Sequence, residues 1–148
     1  YDLQPAMSSR EVTQKVVAAI ESETYDLIVL NYANPDMVGH TGVLEAAIES
    51  VEATDKGLGE ILKSIEHVGG VLLVIADHGN CEQMLDYVTG EPHTAHTTNP
   101  VPCILVGRNK SSTRLRAGGR LADVSPTLLE LLGVPQPASM TGQSLIEN

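Results

Sequence analysis

Five short stretches of this 148-residue chain carry side chains able to do chemistry. Asp77-His78-Gly79-Asn80 sets a carboxylate beside an imidazole. Asp36 and His40 stand four residues apart, which on one turn of helix puts both on one face, within reach of one ion. His93 and His96 lie three apart in a stretch bounded by Pro92 and Pro100. Cys81 follows the first motif, and Cys103 sits in an apolar run. Each group alone has an ordinary explanation. Asp77 could cap a helix beside a solvated His78, Asp36 could favour a helix N-terminus, and the His93–His96 stretch could be a solvated loop. Together they repeat one ligand chemistry three times. Mixed carboxylate and imidazole donors suit Mn, Zn or Co better than Ca or Mg. Two aspartates with three or more histidines exceed what one ion needs, and two ions about 4 Å apart are a recurring device for phosphoryl transfer.

The elements that must position these groups are legible as alternating strands and helices. Val71 to Ala76 is apolar and mostly β-branched without alternation, the pattern of a strand buried on both faces in a parallel sheet. It ends at Asp77, and ligands of open α/β sheets gather beyond the carboxyl ends of strands. Gly79 reads as a source of backbone freedom there. Asp26 to Asn31 reads as a second buried strand, and Val101 to Val106 as a third, with Pro102 limiting its pairing. Ser8 with Glu11 suggests a capping box opening a helix that runs to about Glu23. Asn34-Pro35 suggests an N-cap and first helical residue.

Val43 to His67 reads as a long amphipathic helix with a stripe of Leu44, Ala47, Ile48, Val51, Leu58, Ile61, Leu62 and Ile65, ended by Gly69-Gly70. Gly57 and Gly59 mark close approach or a kink. Asp55, near the stripe, reads as a buried or partner-bonded carboxylate. His67 falls in the last turn, where a cation suits the helix dipole. Cys81 to Leu85 reads as a short helix, and Arg108 to Arg120 as a hairpin or loop. Asp123 to Gly133 reads as a helix capped by Asp123 or Ser125, started by Pro126 and stopped by Gly133. The alternation favours a layered α/β architecture.

Composition narrows the partners. Hydrophobic residues make up 42% and neither Phe nor Trp occurs, so the core must be aliphatic. The net charge of −10 argues against nucleic acid, whose phosphates need a basic face. No apolar run reaches a membrane span and no secretory signal opens the chain. The two cysteines form neither a disulfide framework nor a zinc knuckle, which fits a reducing cytoplasm; Cys103 reads as a small core residue and Cys81 as a packed thiol. The chain opens on Tyr1 and not on methionine, which suggests part of a longer protein.

The stretches Asn31 to Gly42, Ala76 to Asn80, His93 to Thr97, Asp123 to Leu129 and Met140 to Leu145 resemble the cofactor-independent phosphoglycerate mutase family of alkaline phosphatase-like metalloenzymes. The resemblance runs over nearly the whole chain. It implies a layered α/β/α core with a mostly parallel sheet. It also implies two divalent ions, usually manganese, with zinc or cobalt as alternatives, and interconversion of 3-phosphoglycerate and 2-phosphoglycerate through a phosphoserine. By resemblance Asp36, His40 and His96 hold one ion, and Asp77 and His78 hold part of the second; His93 is the weaker candidate. Residues 1–148 would then be the C-terminal part of the phosphatase domain. The family's nucleophilic serine, a further aspartate ligand and the transferase domain would lie outside it. The chain alone is then expected to be inactive and to expose a sheet edge. Phosphopentomutase, a phosphatase, a sulfatase-like hydrolase or a non-enzymatic metal-binding module are the alternatives.

Overall fold

In a computed structural model, residues 1–107 and 113–147 are described. Helix α1 spans Ser9–Glu21, α2 Asn34–Gly39 and α3 Leu44–Val68. Strands β1 (Val71–Ile75) and β2 (Cys103–Gly107) follow, then β3 (Arg114–Leu115), a 3₁₀ turn over Leu121–Asp123, α4 (Val124–Leu132) and β4 (Ile146–Glu147). The part of the expected Arg108-to-Arg120 hairpin at 108–112 lies outside the described residues.

Helix α3 is the frame. Helices α1 and α2 both pack on it, through Ile20, Val38, Ala46, Ala47 and Ile61. The buried apolar residues are aliphatic apart from Met84, in keeping with the missing Phe and Trp. Gly57 resolves the choice between kink and contact. A Cβ there would lie 2.6 Å from both Thr13 Oγ1 on α1 and the Tyr32 hydroxyl, so only glycine admits the approach. Gly59 meets nothing within 4 Å. Gly69 ends α3 in the left-handed region at φ 71°, and Gly70 N–H reaches back to Ile65 O at 2.9 Å, the expected stop.

Several expectations need correction. Among the described residues the strands pair antiparallel and not in the expected parallel sheet. β1 pairs antiparallel with β2, with Leu73 opposite Leu105, and β3 pairs antiparallel with β4. Parallel pairing needs a crossover connection, usually a helix. The chain between β1 and β2 contains no helix and returns directly. β1 is accordingly half-buried, with Val71 and Ile75 exposed at its ends. Asp26 to Asn31 forms no strand among the described residues, and Leu27 and Val29 are exposed.

Ser8 makes no side-chain cap. Turns from Tyr1 onward take the role, with Ser9 N–H and Ser9 Oγ both donating to Ala6 O. Helix α2 begins at Asn34 itself, with Ala33 as N-cap. The Asn34 amide turns away to donate to Pro5 O and Ala6 O, tying the N-terminal turns down. Cys81 to Leu85 is not helical. Met84 O accepts from His93 N–H at 3.0 Å and Asp86 N–H donates to Glu91 O at 2.9 Å, so these groups serve a hairpin finger instead. Of the α3 stripe, Leu44, Ile48 and Val51 are nearly half exposed, because nothing among the described residues covers them. Asp55 is exposed, not buried. Cys103 is exposed and no part of the core.

Asp123 stands at the N-cap position of α4 but its side chain makes no capping bond to that helix, contrary to expectation. Its carboxylate accepts from Arg116 Nη2 (2.6 Å), Arg120 N–H (3.0 Å) and Gln143 N–H (2.9 Å), pinning the tail against the helix. Thr127, fully buried, donates to Asp123 O and accepts from Leu145 N–H. Pro126 stands in the first turn of α4, and Gly133 closes it at φ 68°.

Candidate metal centre

Three loops bring the ligand groups together. Helix α2 carries Asp36 and ends at His40, with His40 Nε2 3.2 Å from Asp36 Oδ1. The loop before β2 brings His96 Nε2 to 3.0 Å from the same oxygen and 3.0 Å from His40 Nε2. Asp36, His40 and His96 thus form the one three-residue group of metal-ligand type among the described residues, each offering one ligand atom within 4.8 Å of the others. The turn after β1 lies alongside. His78 stacks on His96 with ring centroids 3.8 Å apart, and His78 Nε2 is 4.0 Å from Asp36 Oδ1. Asp77 Oδ1 stands 3.7 Å from His78 Nε2 with its side chain largely exposed. Asp77 and His78 therefore adjoin the trio without joining it. His93 stays apart: its backbone ties the finger to Met84, and its Nδ1 is buried without a partner.

The lone pairs at this point do not satisfy one another. His40 Nδ1 lies 2.6 Å from Thr94 O and must donate to it, which leaves Nε2 of the neutral ring as an acceptor. That acceptor faces the Asp36 carboxylate and a second imidazole nitrogen. Only protons or a cation between these groups can reconcile them, and the backbone carbonyl behind His40 fixes the ring as it would for a ligand. The donor set fits a divalent ion of the Mn, Co or Zn type.

Electrostatics follow the same layout. Partial burial pushes the Asp36 carboxyl up, but the Asn80 amide and then His40, His96 and His78 outweigh it and hold the group below the usual carboxylate range. Burial pushes the Cys81 thiol up, and Asp36 and Glu82 add to this. Its Sγ donates to Pro35 O at 2.8 Å, a packed thiol as expected.

Two residues here escaped sequence reasoning as contributors. Asn80, buried, donates from Nδ2 to Asp36 Oδ1 at 2.7 Å. Glu82 accepts from Asn80 N–H at 2.6 Å, from Asn99 Nδ2 at 2.9 Å and from the Thr97 hydroxyl. The signal for Asn80 was its place beside Asp77-His78; Glu82 had none. Gly79 is glycine for space and not for a special φ. A Cβ there would collide with Thr97 Oγ1 and the Glu82 carboxylate.

Comparison with known proteins agrees with this chemistry. Residues 1–136 match the family model described as the Metalloenzyme superfamily. A 2,3-bisphosphoglycerate-independent phosphoglycerate mutase of Chloroflexus aggregans is 62% identical over 149 aligned positions, covering 99% of this chain and 28% of the relative. The enzyme of that name from Rhodopseudomonas palustris is 64% identical over 146, with the same coverage. A structure of Leishmania mexicana phosphoglycerate mutase at low cobalt concentration superposes with a TM-score of 0.89 at 34% identity, covering 99% of this chain and 29% of that one. The chain thus spans a little over a quarter of the length of the curated relatives it matches. The resemblance to cofactor-independent phosphoglycerate mutases is borne out, and with it the alkaline phosphatase-like α/β class. With nearly its whole length matched and a carboxylate–imidazole cluster at its centre, the chain belongs to the Metalloenzyme superfamily.

Proposed function

We propose that this chain provides the metal cradle of a cofactor-independent phosphoglycerate mutase, which interconverts 3-phosphoglycerate and 2-phosphoglycerate. The observation that carries the reading is the meeting of Asp36, His40 and His96 from two loops 56 residues apart at one point. In this reading Asp36, His40 and His96 hold one divalent ion, and Asp77 and His78 contribute to a second; manganese is the first choice, cobalt or zinc the alternatives. Such ions, when bound, lower the pKa of a hydroxyl nucleophile and neutralise charge on a phosphoryl group in transfer.

The chain's own residues prepare the place. Asn80 fixes the Asp36 carboxylate, Thr94 O fixes the His40 ring, and the His78–His96 stack sets the angle of both imidazoles. The nucleophilic serine and the groups that grip phosphoglycerate belong, on this reading, to segments outside residues 1–148. The hydroxyls beside the cluster are engaged in structural bonds: the Thr97 hydroxyl donates to Glu82, whose carboxylate ties two loops together, and Thr41 Oγ1 donates to Val38 O. A reducing, cytoplasmic setting is part of the proposal. Among the described residues, no helix is long and apolar enough to cross a membrane, and both cysteines are free thiols.

The test pairs binding with turnover. Calorimetric titration of the chain with Mn²⁺ is expected to show one weak site filled through three ligands and a second site mostly empty. The same chain, followed by ³¹P NMR with 3-phosphoglycerate, is expected to produce no 2-phosphoglycerate. Turnover by the chain alone, or no binding of Mn²⁺, Co²⁺ or Zn²⁺, overturns the reading.

A further inference from the structure

One hydrogen-bonded path joins all three ligand-bearing loops without passing through a ligand-to-ligand contact. It starts on α2, where Asp36 Oδ1 and Asp36 O both accept from Asn80 Nδ2, at 2.7 and 3.3 Å. It continues through the Asn80 N–H to Glu82 Oε2. It ends on the His96 loop, where Glu82 Oε1 takes the Thr97 hydroxyl and the Asn99 amide. Beside it, Thr97 N–H donates to Gly79 O at 2.9 Å, an isolated antiparallel bridge between the same two loops. The fit is close enough that no side chain at Gly79 or Gly39 could be admitted. A Cβ on Gly39 would lie 2.9 Å from Asn80 Cγ, and one on Gly79 would strike Thr97 and Glu82.

We infer that Asn80 and Glu82 are positioning residues, forming a clamp that holds the His78 turn and the His96 loop against α2 before any ion arrives. The inference deepens the metal-centre reading and rests on it. Glu82 suits this role and not that of a ligand. Both its oxygens are taken by donors from the two loops, and it stands outside the ligand cluster. Five hydrogen bonds converge on the side chains of Asn80 and Glu82, so one exposed carboxylate joins the Thr97–Gly79 bridge in setting the relative placement of His78 and His96. Partners of metal ligands typically change affinity 10- to 100-fold when removed. The clamp extends that influence one step further out, to the loops that carry the ligands.

The test uses the full chain as wild type, Glu82→Ala, Glu82→Gln and Thr97→Val, with Co²⁺ as the probe. Glu82→Ala is expected to weaken Co²⁺ binding about tenfold or more and to alter the visible absorption of the bound ion. Glu82→Gln, which keeps one acceptor oxygen, falls between. Thr97→Val removes one donor and shows a smaller change of the same kind. In the metal-free chain, Glu82→Ala is expected to speed amide hydrogen exchange at residues 94–99, with the melting temperature within a few degrees of wild type. A purely structural role would move the melting temperature instead and leave the Co²⁺ spectrum unchanged. Wild-type Co²⁺ affinity and spectrum in both Glu82→Ala and Thr97→Val, or unchanged exchange at 94–99, overturns the clamp. A wild-type chain that binds no Co²⁺ overturns the metal reading instead, and the exchange measurement still decides whether the clamp exists.

Discussion

Replacing Gly39 by alanine sets two well-defined effects against each other. Gly39 is the last residue of α2, and alanine there gains at most about 1 kcal/mol in helix propensity. The new Cβ, however, would lie 2.9 Å from Asn80 Cγ and 2.9 Å from Cys81 Sγ, where carbon contacts normally begin near 3.5 Å. The obstruction is a buried side chain on the neighbouring turn, and it has to move by about half an ångström or more. Overpacking of this kind costs about 1–3 kcal/mol. The same displacement strains the 2.7 Å bond from Asn80 to the Asp36 carboxylate, of a class that contributes about 1.5–3 kcal/mol. The packing and hydrogen-bond losses exceed the propensity gain, so Gly39→Ala is expected to destabilise by about 2 kcal/mol or more. For a chain of this size that corresponds to a fall of about 4–8 °C in Tm. Urea denaturation and thermal melting read the stability, and a Co²⁺ titration reads the site. A variant as stable as wild type, with unchanged Co²⁺ affinity, would refute the claim that α2 and the Asn80 turn are closely interlocked.

Gly59→Ala provides the opposite case. It meets nothing within 4 Å in the middle of α3, and a gain of about 0.5–1 kcal/mol is expected by urea denaturation. Asp123 governs the acid limb of stability. The Gln143 N–H first, then Arg120 N–H and Arg116, together outweigh the opposing effect of burial and hold its carboxyl down to about 2. A depressed native pKa stabilises the fold above the unfolded value and is lost as pH falls, here between about pH 4 and pH 2. Urea midpoints measured across that window are expected to drop in wild type and to flatten in Asp123→Asn. Thiol labelling separates the cysteines: exposed Cys103 is expected to react well before Cys81, whose thiol is part-buried and donates to Pro35 O. Equal rates would contradict the packing around Asn80.

What the sequence made legible was local. Asp36 and His40 needed only helical spacing to be paired, and α2 delivers that pair at 3.2 Å. The long helix and its Gly69 stop, and α4 with Gly133, rest on periodicity and glycine chemistry that act within a few residues. His96 was reachable only because its donor type matched that of distant loops. Pairing was not legible: Val71 to Ile75 is apolar enough for a buried central strand, yet nothing in the run says that its neighbour returns antiparallel. The same holds for the unpaired stretch from Asp26 to Asn31, for Leu44, Ile48 and Val51, and for Cys103. Their burial depends on what lies beside them, which no local pattern encodes. Glu82 escaped because its partners on the His96 loop are 15 and 17 residues away and follow no period.

The finger between Met84 and His93 is closed at its base by His93 N–H to Met84 O, by the Leu85–Pro92 bridge and by Asp86 N–H to Glu91 O. Its tip is held by Asp86, whose Oδ1 accepts from Val88 and Thr89 N–H and whose backbone O accepts from Gly90 N–H, while the Tyr87 and Val88 side chains are 81% and 94% exposed. Changes of length or chemistry at the tip therefore stop at that base and do not propagate to His96. A fluorophore or spin label grafted at Val88 would sit in solvent at the tip of this finger and leave the ligand cluster's own bonds untouched.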